Sequence, residues 1–272
     1  MNDTTAFSRG QRWLRALAGE PIGAAPIWHA DAPLGDEPAR FIAVVPDPAN
    51  RFPRARDNVV GLEQGWRLAQ TVRAVIEADA HAPRRRPIVA IVDVKSQAYG
   101  YREEMLGIHL ACAAAVDAYA SARLAGHPVV ALIVGPAMSG AFLAHGYQAN
   151  RILALDAPGI MVHAMGKEAA ARVTRRCVEA LDALGETITP MSYSLTGFAK
   201  LGLLDRLIEE VDADAPTQEQ IARVHRALAD AAASARADAA DLSHRLDSDA
   251  ARTTRAASIE VRRRLALQWD AV

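Results

Sequence analysis

Apolar residues recur along this chain with two alternating periods. Leu62, Trp66, Ala69, Val72 and Ile76 stand at helical spacing, in a segment that ends near residues 81–83. Residues 87–92 then form a continuous apolar run, as expected of a strand buried on both faces. A second helical face, Met105, Ile108, Cys112, Val116 and Tyr119, closes at Gly126. The apolar runs 129–134, 151–155 and 159–162 follow. Strands alternating with helices predict a layered α/β fold with parallel strands.

The flanks have a different texture. Residues 1–60 are rich in Pro and Gly, with a short helix signal (Ser8 as cap, then Trp13, Leu14 and Leu17) and one apolar run, 41–45, ended by Pro46. Residues 61–211 carry the strand–helix alternation. Residues 212–272 read as a helical extension. Ile221, Val224, Leu228 and Ala231 make one stripe there, and Val261, Leu265 and Trp269 a second. These helices pack either on the core or on a partner.

Composition narrows the class. A chain of 272 residues with 51% hydrophobic content can bury a full core, and a net charge of −1 gives no case for nucleic acid or an anionic membrane. The N-terminus has no apolar signal core, and no run of about 18 apolar residues occurs. Cys112 and Cys177 read as buried thiols in helical stretches. A soluble, cytoplasmic protein is expected.

Two segments could carry chemistry, because each follows a buried strand and precedes a helix: residues 93–101 and residues 135–140. Amides at a helix start have no partner within the helix and favour negative charge. Gly100 and Gly140 would let a ligand approach the backbone. Two converging amides can stabilise an oxyanion, each worth roughly 3 kcal/mol in the transition state. Two ordinary glycine-containing turns are the plain alternative. The second segment lacks the Gly-Lys-Ser/Thr of a nucleotide loop. Its residues 137–141, Ala-Met-Ser-Gly-Ala, imitate a nucleophile elbow, with His163 24 residues beyond Ser139 and Asp205 or Asp212 as possible orienters. Ser139 is therefore either a nucleophile or a donor of amide and hydroxyl, and His163 either an acid or a packed residue. The scattered histidines suggest no metal site. Glu103 and Glu104 suit a helix start, and the arginines at 84–86 and 262–264 suit solvated faces.

Three ordered stretches, IVDVKSQAYGYREEMLGIH, ALIVGPAMSGAFLAHG and MVHAMGKEAAARV, resemble the gamma subunits of biotin-independent malonate decarboxylases. The similarity spans about residues 41–208, and extends more distantly to the alpha half of acetyl-CoA carboxylase carboxyltransferase. It implies a crotonase-type spiral of strand–strand–helix units and a beta-type partner of the same fold. It also implies a malonyl group carried on the phosphopantetheine-like arm of an acyl carrier protein, with no cofactor bound by this chain. Matched by position, Gly100, Ser139, Gly140 and His163 are the catalytic candidates, and Gln97, Tyr99, Gly135 and Met138 the substrate-binding ones. Where the carboxyltransferases have consecutive glycines before the serine, Pro136, Ala137 and Met138 narrow the approach, which argues against a bulky biotin. A Clp-type serine peptidase using Ser139 and His163, a biotin-dependent carboxyltransferase subunit and a non-catalytic scaffold are the competing readings.

Overall fold

The computed structural model describes residues 7–238 and 240–269. The chain opens with α1 (Arg9–Ala18), started by a reciprocal cap. The Ser8 hydroxyl accepts from the Gln11 amide, and the Gln11 side chain accepts from the Ser8 amide. Trp13, Leu14 and Leu17 form its buried face, and the Trp13 indole donates to the Ala213 carbonyl at 3.0 Å. β1 (Ile27–Leu34) and β2 (Glu37–Val44) then pair as an antiparallel hairpin. Residues 1–60 thus carry a hairpin where a single strand was expected. β1 gives no clear apolar run because it is an edge strand whose buried positions are interrupted by half-exposed Trp28, His29 and Ala32 and by exposed Asp31 and Pro33.

From there strand, strand and helix repeat. β3 (Val59–Val60) leads into α2 (Leu62–Ala78). β4 (Ile88–Val94) and β5 (Ser96–Gln97) lead into α3 (Tyr101–Met105) and α4 (Ile108–Leu124). β6 (Val129–Met138) runs directly into α5 (Ser139–Ala144). β7 (Arg151–Leu155) and β8 (Val162–His163) precede α6 (Lys167–Thr174), α7 (Val178–Thr187) and α8 (Leu195–Lys200). β9 (Arg206–Ile208) closes the sheet, and α9 (Gln218–Ala237), α10 (Asp249–Thr254) and α11 (Ala256–Trp269) complete the chain. Among the described residues the main sheet has the order β1-β2-β4-β6-β7-β9, with β8 on the far end of β6. Every pairing in it except β1–β2 is parallel. β3 and β5 form a small parallel sheet beside it. This is the spiral that the resemblance implies.

Both faces of the sheet are covered. Along β4, Ile88, Ala90 and Val92 face the core built with α2 and α4, whereas Val89 and Ile91 face the core built with α1 and α9. That two-sided burial explains the uninterrupted apolar runs. α2 and α4 approach closely where Gly65 meets Ala111: a Cβ on Gly65 would lie 2.6 Å from the Ala111 carbonyl carbon and oxygen.

The helical faces keep most of the expected residues, Leu62, Ala69, Val72, Ile108 and Tyr119, and lose Trp66 and Met105. On α2 the buried residues are Leu62, Gln64, Gly65, Leu68, Ala69, Val72 and Val75, and Trp66 is 47% exposed. Gly107 takes a left-handed conformation (φ +81°) that separates α3 from α4, so Met105 leaves the α4 face and is exposed. Alanines 111, 115, 118 and 122, with Ile108 and Tyr119, are what α4 buries. Cys112 is only partly buried, and Cys177 is exposed at the start of α7, which corrects the expectation of two buried thiols. In the C-terminal region the Val224–Leu228 stripe packs under the chain's own sheet. Val261, Leu265 and Trp269 of α11 are exposed. No described helix is long and apolar enough to cross a membrane.

Candidate functional site

Residues 135–138 are not the loop expected from the glycine at 135. They are the last residues of β6, and the whole change of direction into α5 falls on Ser139. Ser139 accordingly adopts φ +63°, a left-handed backbone rarely held by a residue with a side chain and worth about 1–3 kcal/mol of strain. This is the sharp strand-to-helix turn of a nucleophile elbow. Ser139 is 4% exposed. Gly140, next in the first turn of α5, has an amide with no partner within the helix.

The other segment reaches the same place. β5 pairs with β3 through Val59–Ser96 and Val60–Gln97, which aims Gln97 and Tyr99 at the β6–α5 turn. Tyr99 Oη lies 2.9 Å from Ser139 Oγ, joining the two segments directly. A Cβ on Gly140 would stand 1.9 Å from Gln97 Oε1. One on Gly100 would stand 2.0 Å from Glu103 Oε2. Gly100 is extended (φ −172°), the residue just before α3. Both glycines are therefore filled against by neighbouring side chains, where the sequence suggested space for a ligand. Gly135 is filled in the same way: its Cβ would meet Asp93 Oδ1 at 2.1 Å. Burial raises the Asp93 carboxyl above the usual carboxylate range, against the opposing pull of the Gly10 amide.

β6 also brings His163 alongside. Its register with β8 pairs Ala137 with Val162 and Met138 with His163. The imidazole stacks on Tyr193, ring centroids 4.0 Å apart at 18°, and its Nδ1 sits 3.0 Å from the Met165 carbonyl and 3.2 Å from the Met165 amide. Tyr193 donates to the same carbonyl at 2.8 Å. Ser139 and His163 share a cavity of about 310 Å³, whose walls include Phe142, Tyr147, Val162 and Phe198. The aromatic side chains of this wall, and Tyr193, carried no motif that sequence reading could seize.

Among the described residues no serine–histidine–aspartate relay is assembled around Ser139 and His163. Tyr99, not His163, bonds the Ser139 hydroxyl. Asp205 accepts from the Ile152 amide and faces Arg151, and Asp212 caps the amides of Asp214 and Ala215. Among the described residues no group of three or more His, Cys, Asp or Glu is placed to hold a metal ion. The site offers amides, a hydroxyl pair and an imidazole.

The chain is similar to several known proteins. A chain of the Pseudomonas malonate decarboxylase hetero-tetramer, solved in complex with coenzyme A, superposes with a TM-score of 0.91 at 54% identity, over 96% of this chain and 100% of that one. A chain of the Pseudomonas MdcD-MdcE hetero-dimer gives 0.87 at 53%, over 96% and 100%. The malonyl-S-ACP:biotin-protein carboxyltransferase MADD of Malonomonas rubra is 38% identical over 185 residues, which are 66% of this chain and 63% of that protein. The model of the malonate decarboxylase gamma subunit family matches residues 55–269. This chain belongs to the malonate decarboxylase gamma subunit family.

Proposed function

We propose that this chain works with a beta-type subunit of the same fold to convert malonyl-S-acyl carrier protein to acetyl-S-acyl carrier protein and CO2. The observation that carries the reading is the meeting of two strand-to-helix turns at the carboxyl ends of β4 and β6, where Tyr99 Oη stands 2.9 Å from Ser139 Oγ beside the start of α5. Loss of CO2 from a malonyl thioester leaves an enolate, and the cost of that charge is most of the barrier. Amides fixed at the turn, Gly140 first among them, stabilise the developing oxyanion without reorganising. The Ser139 and Tyr99 hydroxyls orient one another and line the approach. His163 has its Nδ1 against the Met165 backbone, which leaves Nε2 to hand a proton to the α-carbon of the enolate, making it the methyl group.

Partner and carrier rest on the relatives. The similar Pseudomonas chains were solved as an MdcD-MdcE hetero-dimer and a hetero-tetramer, and MADD is named for a malonyl-S-ACP substrate. In this reading the malonyl group arrives on a phosphopantetheine-like arm, this chain binds no cofactor of its own, and the complex operates in the cytoplasm. The name of MADD also favours a second reading, carboxyl transfer to a biotin-protein, which carboxybiotin exchange by the assembled complex would reveal.

The test is Ser139→Ala in the assembled complex. The amides survive this change and only a hydrogen bond worth about 1 kcal/mol is lost, so CO2 release should stay within about ten-fold of wild type. A fluorophosphonate should leave Ser139 unlabelled. Covalent labelling of Ser139 together with complete loss of activity in the alanine variant would replace the amide mechanism with a nucleophilic one.

A further inference from the structure

We propose that Asp93 is a positioning residue, whose buried carboxyl fills the irregularity between β4 and β6 and so fixes how Ser139 and Gly140 meet the acyl group. The inference rests on the reading of the β6–α5 turn as the acyl site. Along these two strands Val92 pairs with Ile133, but Val94 pairs with Ala137. Asp93 alone therefore stands opposite Val134, Gly135 and Pro136. Its carboxyl occupies the volume that a side chain at 135 would need, with Oδ1 at 2.1 Å and Cγ at 2.7 Å from an ideal Cβ there. Ser139 lies only four residues further on.

The carboxyl is also held from the other side. Asp93 Oδ2 accepts from the Gly10 amide at 3.1 Å, in the first turn of α1, and from Asn58 Nδ2 at 2.9 Å. The Asn58 carbonyl accepts from the Lys95 amide at 2.9 Å, which anchors the chain leading into β5, Gln97 and Tyr99. Arg9 donates to the Val134 carbonyl at 3.4 Å and the Pro158 carbonyl at 2.9 Å, and pairs with Asp214. The stretch 134–135 is thus gripped by a guanidinium on one carbonyl and a carboxyl against the next Cα. One buried group touches the supports of both site segments. Asp93 is 5% exposed, and the cations near it are Arg9 and Lys95. Burial raises the carboxyl's pKa, so its place here opposes folding rather than adding stability.

The experiment uses the complex reconstituted with the beta-type subunit and malonyl-carrier protein. Asp93→Asn keeps the shape and can turn its carbonyl toward Gly10 and Asn58, so kcat should stay within about three-fold of wild type. Asp93→Ala empties the space and should lower kcat by about ten-fold or more, with KM changed less than about two-fold, because misplacement acts on the transition state. Gly135→Ala alone should lower kcat similarly. In the double variant Asp93→Ala/Gly135→Ala the new methyl takes the vacated volume, and kcat should exceed that of either single variant. Circular dichroism and gel filtration show which variants are folded and assembled. A folded, assembled Asp93→Ala complex with wild-type kcat overturns the inference alone. So does a double variant whose losses multiply, or an Asp93→Asn loss as deep as that of alanine. Absence of CO2 release by the wild-type pair overturns the acyl-site reading as well.

Discussion

Ser139 and His145 show how differently two polar residues six positions apart can be used. Ser139 is strained and faces a cavity, whereas His145 is wholly buried and satisfied. The His145 Nε2 lies 3.0 Å from the Ile91 carbonyl and its Nδ1 3.0 Å from Tyr119 Oη, so Nε2 carries the hydrogen and Nδ1 accepts. Burial pushes the His145 pKa down to about 4. The unfolded chain binds that proton near pH 6.5 and the folded one does not, so the associated stability is present above pH 6.5 and is lost as pH falls toward 4. The loss is on the order of 3 kcal/mol. Urea melts at pH 7, 6, 5 and 4 should show it, and His145→Gln should flatten the slope. At this scale the sequence was only partly informative. Gly100, Ser139 and Gly140 stand out as residue types, but the atoms packed against the glycines, Glu103 Oε2 and Gln97 Oε1, depend on folded side-chain geometry.

At the scale of elements, close approach is the recurring cause. α2 can lie on α4 only because Gly65 has no side chain at the Ala111 carbonyl. Gly65→Ala should cost about 1–3 kcal/mol by overpacking, read as a lowered urea midpoint with unchanged slope. Gly140 behaves in a related way, since its obstacle is the Gln97 carboxamide 1.9 Å from the ideal Cβ. Gly140→Val should therefore push Gln97 aside, disturb the first amides of α5 and lower CO2 release by about 100-fold. Shortening the obstacle in Gly140→Val/Gln97→Ala should restore part of that loss. No restoration would mean that the valine meets the acyl group instead. The long parallel strands were legible because both their faces are buried. β1 was not, and neither was the part of the α2–α4 contact made by Gly65 and by alanines 111, 115, 118 and 122, small residues that carry little apolar signal.

The whole molecule leaves its candidate site open on one side. Tyr99 is 51% and Tyr101 82% exposed beside it, and α11 presents Val261, Leu265 and Trp269 outward. The two tail stripes differ: α9 serves the chain's own core, whereas α11 has no buried residue. If the two turns at Ser139 and Tyr99 form one wall of a shared acyl site, chemistry should need both subunits. The direct measurement is release of labelled CO2 from malonyl-carrier protein by this chain, by its beta-type partner, and by the two together. Release by the pair, with neither chain active alone, is the expected result. Full turnover by the isolated chain would contradict a shared site, and no release by the properly assembled pair would contradict the proposed decarboxylation itself.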